Sequence, residues 1–138
     1  MKIRVLCNSK KGKMQSFAKA IMNKYQLTAN SIDNIPPAYP CDKERIVIIG
    51  ASLGAGIPDT LRNLAREMTK QKAQNIALYV SGKESPAEEL AAIFKGAGTN
   101  VIDEIHYVNG GLPIFSKISG AEQSAILEWV ERVLTKLA

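Results

Sequence analysis

Ile3-Arg4-Val5-Leu6-Cys7-Asn8-Ser9-Lys10-Lys11-Gly12-Lys13-Met14 decides the fold of this chain. Ile3 to Cys7 reads as a buried strand, and Asn8 to Lys13 as a short loop of small and basic residues. Beyond it, Met14, Phe17, Ala18, Ile21, Met22 and Tyr25 recur at the spacing of one helix face and of no strand. A strand that feeds a Ser/Gly/Lys loop into a helix suits an anion. The loop N–H groups point inward, and the helix dipole favours negative charge at that end. The chain thus opens on an anion cradle.

Outward from this unit the alternation continues. Leu27 to Ile32 is a short strand candidate, followed by the turn-rich Pro36-Pro37-Ala38-Tyr39-Pro40. Arg45-Ile46-Val47-Ile48-Ile49-Gly50 is a continuous apolar run, as expected of a central parallel strand buried on both faces. The small-residue loop Ala51 to Gly56 leads into a helix with Ile57, Leu61, Leu64, Ala65 and Met68 on one face. Asn75 to Val80 is the next strand, closed by Ser81-Gly82-Lys83. Ser85, Pro86 and Glu88 then read as a capping box, with Gly96 and Gly98 as the stop signal.

Val101 to Val108 reads as a last, more amphipathic strand. Ser119-Gly120-Ala121-Glu122 is a second capping box, opening a helix with Ile126, Leu127, Val130, Leu134 and Leu137 inward. Strands alternating with helix-length crossovers predict a parallel sheet covered on both faces. The expected fold is α/β, a three-layer sandwich, with residues 1–138 as one domain.

Composition narrows the function classes. Hydrophobic content of 46% and charge of 22% are those of a soluble globular protein. Lys2 and Arg4 interrupt any signal-peptide core, and no apolar run approaches the length that spans a bilayer. Cys7 and Cys41 make neither a disulfide framework nor a metal-ligand spacing, so the expected location is cytoplasmic and no metal is expected. A net charge of +5 and a pI near 9.3 ask for an anionic partner. The dense basic cluster is Lys10, Lys11 and Lys13, without the wide stripe and interleaved aromatics of a nucleic-acid face. A phosphorylated ligand is expected, not nucleic acid.

In a doubly wound sheet the ligand sits outside the carboxyl ends of the strands, where strand order reverses. For a five-stranded parallel sheet in the order 2-1-3-4-5, that point lies between the first and third strands. Three loops converge there: Ser9, Lys10, Lys11, Gly12, Lys13 and Met14; Ser52, Leu53, Gly54, Ala55 and Gly56; and Ser81, Gly82 and Lys83. Their small residues let backbone amides approach a flat ligand closely.

The first loop, Cys7 to Met14, resembles the phosphate loop of the short flavodoxin-domain proteins, typically small-Ser-Lys-x-Gly-x-Thr. Gly50-Ala51-Ser52-Leu53-Gly54-Ala55-Gly56-Ile57-Pro58 is similar to the loop that lies against the isoalloxazine ring in that family. Asn109-Gly110-Gly111-Leu112-Pro113-Ile114-Phe115-Ser116-Lys117-Ile118-Ser119 resembles the Gly-Gly-x-Leu-x-Tyr-x-Lys-Leu-Ser stretch of a subgroup. That subgroup is related to the flavodoxin-like protoporphyrinogen dehydrogenases. The likeness covers nearly the whole chain.

It implies a flavodoxin-like fold and non-covalent FMN, with phosphate at Ser9 to Met14 and the ring between residues 52–56 and 81–83. Electron transfer or flavin-dependent redox chemistry follows from the cofactor, with an unnamed redox partner and no catalytic side chain. Two positions depart from the family. Met14 replaces a hydroxyl, removing a hydrogen bond worth about 1.5–3 kcal/mol to a charged acceptor. Leu53 stands where an aromatic would stack.

The alternative is a non-catalytic flavodoxin-like domain that has lost FMN and serves as an anion-binding or interaction module. A cysteine phosphocarrier or phosphatase ranks last, because position 13 is Lys and no Asp-Pro pair occurs. Cys7 is expected to be an inert core thiol, His106 a half-exposed structural residue and Trp129 a core residue.

Overall fold

Strands buried on both faces set the architecture. The computed structural model describes residues 3–9, 12–27, 29–31, 44–110 and 117–137. Along the chain run β1 (Ile3–Cys7), α1 (Lys13–Tyr25), β2 (Ala29–Ser31), β3 (Glu44–Ser52), α2 (Asp59–Glu67) and β4 (Ala73–Ser81). Then come α3 (Glu84–Ala97), β5 (Asn100–Val101), β6 (His106–Tyr107) and α4 (Gly120–Leu134). The turn-rich segment at 36–40 and Cys41 lie outside the described residues.

The sheet order is β2-β1-β3-β4-β5, with β6 also on β4, and every pairing is parallel. Side chains alternate between two cores. Leu6, Val47, Ile49, Ile76, Leu78 and Val80 face α2 and α3. Val5, Cys7, Ile46, Ile48, Ala77 and Tyr79 face α1 and α4. That is a three-layer sandwich, and it explains why β3 and β4 read as continuous apolar runs. In the second core Tyr79 meets Phe17 at 6.1 Å and Trp129 at 6.3 Å between ring centroids, both edge-on. Such pairs add about 0.5–1.5 kcal/mol each beyond the area they bury.

Two expectations need correction. Ser85 does not cap α3. The helix starts at Glu84, with Lys83 as an N-cap that makes no side-chain hydrogen bond. The chain reverses at Gly82, whose φ of 140° only glycine adopts readily, so the helix begins before Ser85 and Pro86 falls in its first turn. The last strand is also not continuous. Its two short pieces both pair with β4, and between them the Glu104 carbonyl accepts the Trp129 indole N–H at 2.8 Å. A side chain from α4 thereby takes an acceptor that a ladder would have used. Ser119 and Glu122 do form the expected reciprocal capping box on α4.

Candidate functional site

Strand order reverses at β1, whose neighbours are β2 and β3, so the crevice opens at the carboxyl ends of β1 and β3. The loops at that end are joined to one another by hydrogen bonds. The Asn8 N–H donates to the Gly50 carbonyl at 3.1 Å. The Asn8 side chain then accepts from the Ser52 N–H at 2.8 Å and donates back to the Ser52 carbonyl at 3.2 Å. Its amide acts as one more peptide unit of β1, prolonging the β1–β3 ladder by a step.

Leu53 N–H donates to the Ser81 carbonyl at 2.8 Å, and Gly110 N–H to the Ser81 hydroxyl at 3.2 Å. Val108 N–H reaches the Val80 carbonyl at 2.8 Å. A single hydrogen-bonded belt therefore crosses the ends of β1, β3, β4 and β6.

Within that belt the second and third loops lie side by side. Leu53 is packed into the core and 1% exposed, so it does not line the crevice. Ser52, Gly54, Ala55, Gly56, Gly82 and Lys83 are exposed, and Ser81 is half-buried. A Cβ on Gly82 would overlap the Leu53 carbonyl oxygen, so these loops meet only because residue 82 is glycine.

The first loop differs from the other helix entries. α1 starts after Gly12, with no side-chain cap and no acidic residue in its first turn. α2, α3 and α4 carry Asp59, Glu84 and Glu122 there, and α4 has its capping box as well. The positive end of α1 is thus the one among the described helices that its own first turn leaves uncompensated. Gln15, in the same turn, has a buried Oε1 with no hydrogen-bond partner among the described residues. Lys10 and Lys11 lie outside the described residues, while Ser9 accepts a hydrogen bond from the Cys7 thiol at 3.3 Å through its carbonyl.

Lys13 is engaged. Its ammonium meets Glu122 of α4 at 3.2 Å. The Ser119 backbone N–H, and then Lys13, hold the Glu122 carboxyl below its usual range. Met14 turns into the core at 3% exposed, and its carbonyl accepts the Tyr79 hydroxyl at 3.0 Å. Burial first, and then the neighbouring Cys7 thiol, push the Tyr79 phenol well above its usual pKa. It is a neutral donor.

Cys7 is fully buried, as expected of a core thiol. His106 is stacked on Trp129 at 5.4 Å between centroids. Sequence reasoning missed Asn8, Tyr79 and Glu122. Only Asn8 carried a local signal, since Asn at a strand end readily bonds nearby backbone.

Neither a protein-family model nor a curated protein sequence matches the chain. Solved structures do match its fold. Flavodoxin 1 from Bacillus cereus, in oxidised form, is 15% identical with a TM-score of 0.73, over 100% of each chain. A Fusobacterium nucleatum flavodoxin bound to flavin mononucleotide is 13% identical with a TM-score of 0.65, over 99% of each chain. A metal-soaked flavodiiron core from Synechocystis is 14% identical with a TM-score of 0.69, over 93% of this chain and 34% of that one. The fold is α/β and flavodoxin-like.

Proposed function

We propose that this chain binds FMN without a covalent link and takes part in electron transfer or flavin-dependent redox chemistry. The observation that carries this reading is the N-terminus of α1, without a side-chain cap or an acidic residue in its own first turn, set at the reversal point of the strand order and entered from a Ser/Lys/Gly loop. The phosphate would be held by backbone N–H groups of Ser9 to Met14, with Lys10 and Lys11 adding charge. The ring would lie along residues 52–56 and 81–83, of which Ser52, Gly54, Ala55, Gly56, Gly82 and Lys83 are exposed. Gln15 Oε1 in the same turn, buried and without a hydrogen-bond partner among the described residues, is a further polar atom at that end of α1. Bound flavin supplies one- and two-electron chemistry; the protein's part is position and electrostatics.

The flavin-bound flavodoxin among the matched structures supports this choice of ligand. The resemblance of residues 109–119 to the subgroup related to flavodoxin-like protoporphyrinogen dehydrogenases supports an oxidoreductase role; residues 111–116 lie outside the described ones.

Titration of the purified protein with FMN and with riboflavin, followed by quenching of flavin fluorescence, is the test. A yellow protein that binds FMN more tightly than riboflavin supports the reading. Failure to bind either ligand overturns it.

A second reading, an anion-binding or interaction module that has lost FMN, is favoured by three particular features. Met14 offers no hydroxyl and is buried, Lys13 is occupied by Glu122, and Leu53 cannot stack on a ring. Binding of inorganic phosphate without either flavin would select it.

A further inference from the structure

A tyrosine in the middle of a parallel sheet needs a reason. Tyr79 is fully buried on β4 opposite Gly50 of β3, which is in turn opposite Cys7 of β1. Its side chain lies across Gly50 so closely that a Cβ there would overlap the phenol carbon and oxygen. The ring crosses β3 and delivers its hydroxyl to the Met14 carbonyl at 3.0 Å, where the first loop ends. The Cys7 thiol adjoins the same hydroxyl and bonds the Ser9 carbonyl at 3.3 Å, where that loop begins.

Phenylalanine at 79 would fill the same space without a hydroxyl to match, and a smaller apolar residue there would free position 50 from glycine. A buried hydroxyl must be matched, and glycine weakens a central strand. Both costs fall directly beneath the first loop. Local rules broken together at one place point to function.

We propose that Tyr79 is a positioning residue for ligand phosphate. Its hydroxyl holds the Met14 carbonyl and the Cys7 thiol beside it holds the Ser9 carbonyl, and together they fix the direction of the N–H groups of Gly12, Lys13 and Met14 at the start of α1. The inference rests on the FMN reading above.

Tyr79→Phe keeps the ring and removes the tie. Its affinity for FMN falls about fivefold, the equivalent of one ordinary hydrogen bond, while its affinity for riboflavin is unchanged. In the ligand-free protein, hydrogen exchange of the Ser16 amide, which bonds the Gly12 carbonyl at 3.2 Å, speeds up by a similar factor while α3 amides do not change.

A merely structural tyrosine would lower both affinities together and speed exchange throughout. Parallel loss of FMN and riboflavin, or no change in FMN affinity and Ser16 exchange, overturns the proposal. If the wild type binds neither flavin, the FMN reading fails and the exchange comparison alone decides the role of Tyr79. Should Tyr79→Phe not fold, Cys7→Ala removes the Ser9 tie and leaves the Tyr79 hydroxyl on the Met14 carbonyl, and the same selective loss is expected from it.

Discussion

Replacing Gly82 with alanine should damage the site far more than replacing Gly54, although both are exposed glycines in adjoining loops. At Gly82 the backbone has φ 140°, a region that is essentially glycine-only, and occupying it costs an ordinary residue about 1–3 kcal/mol. The new Cβ would also overlap the Leu53 carbonyl oxygen, 2.9 Å from its carbon and 3.1 Å from the Leu53 Cβ. That backbone cannot withdraw freely, because Leu53 N–H is bonded to the Ser81 carbonyl at 2.8 Å. Releasing the strain by breaking the bond forfeits about 0.5–1.5 kcal/mol. The two contributions together predict a loss of about 1.5–4.5 kcal/mol. At Gly54 nothing lies within 4 Å of a Cβ, and Gly54→Ala should leave stability unchanged or raise it by up to about 1 kcal/mol. Urea unfolding followed by Trp129 fluorescence measures both variants. Gly82→Ala within about 0.5 kcal/mol of wild type would refute the geometry. Because Gly54→Ala is neutral for the fold, any shift it causes in riboflavin affinity or in the reduction potential of bound flavin reports direct contact with the ring.

Four more outcomes follow from the site and its surroundings. Glu122→Gln keeps a residue able to complete the capping box but releases Lys13. Folding should lose about 0.5 kcal/mol, while FMN binding tightens about two- to fivefold and riboflavin binding does not, as paired titrations would reveal. Asn8→Ala removes the belt between the first two loops; a loss of about 1 kcal/mol and weaker binding of both flavins are expected in unfolding and titration experiments. Acid unfolding should feel Glu104, held low by its hydrogen bond to Arg132 and then by Lys136. Its contribution is present above the unfolded carboxylate pKa of about 4.3 and is lost as pH falls through the lower folded value, so Arg132→Gln should flatten that limb of the stability curve. His106 is held below its usual value by burial and then by the Arg132 charge, against Glu104. Its share is present above about pH 6.5 and declines below it, a change that the stacked Trp129 should report in its emission.

The elements legible in the sequence were those whose burial repeats locally. β1 and the buried face of α1 fall where the apolar spacing puts them, since Met14, Phe17, Ala18 and Ile21 are buried and share one helix face. β3 and β4 run further than their apolar cores suggest. Ser52 and Ser81 are polar strand residues that remain paired with each other and, at Ser52, with the Asn8 side chain. Ser85 looked like a cap because the pattern of cap residues is local, whereas the reversal at Gly82 is dictated by Leu53 on another loop. The inward turn of Leu53 could not be told from its small, flexible neighbours. The ties that shape the site join residues far apart in the chain: Asn8 to Ser52, Met14 to Tyr79 and Lys13 to Glu122. No periodicity over a helix or strand can register such pairs.

The broken outer strand has a consequence for how copies of this protein meet. A long flat sheet edge is a template on which another chain can add as a further strand, the first step toward aggregation. Here β5 and β6 offer two residues each, separated by a stretch whose Glu104 carbonyl is already taken by the Trp129 indole and whose carboxylate is bound to Arg132. At the opposite edge β2 spans Ala29–Ser31. An incoming strand would find little unbroken ladder to extend and charged side chains beside the gap, so the interruption guards the sheet against growing by recruitment of its own kind.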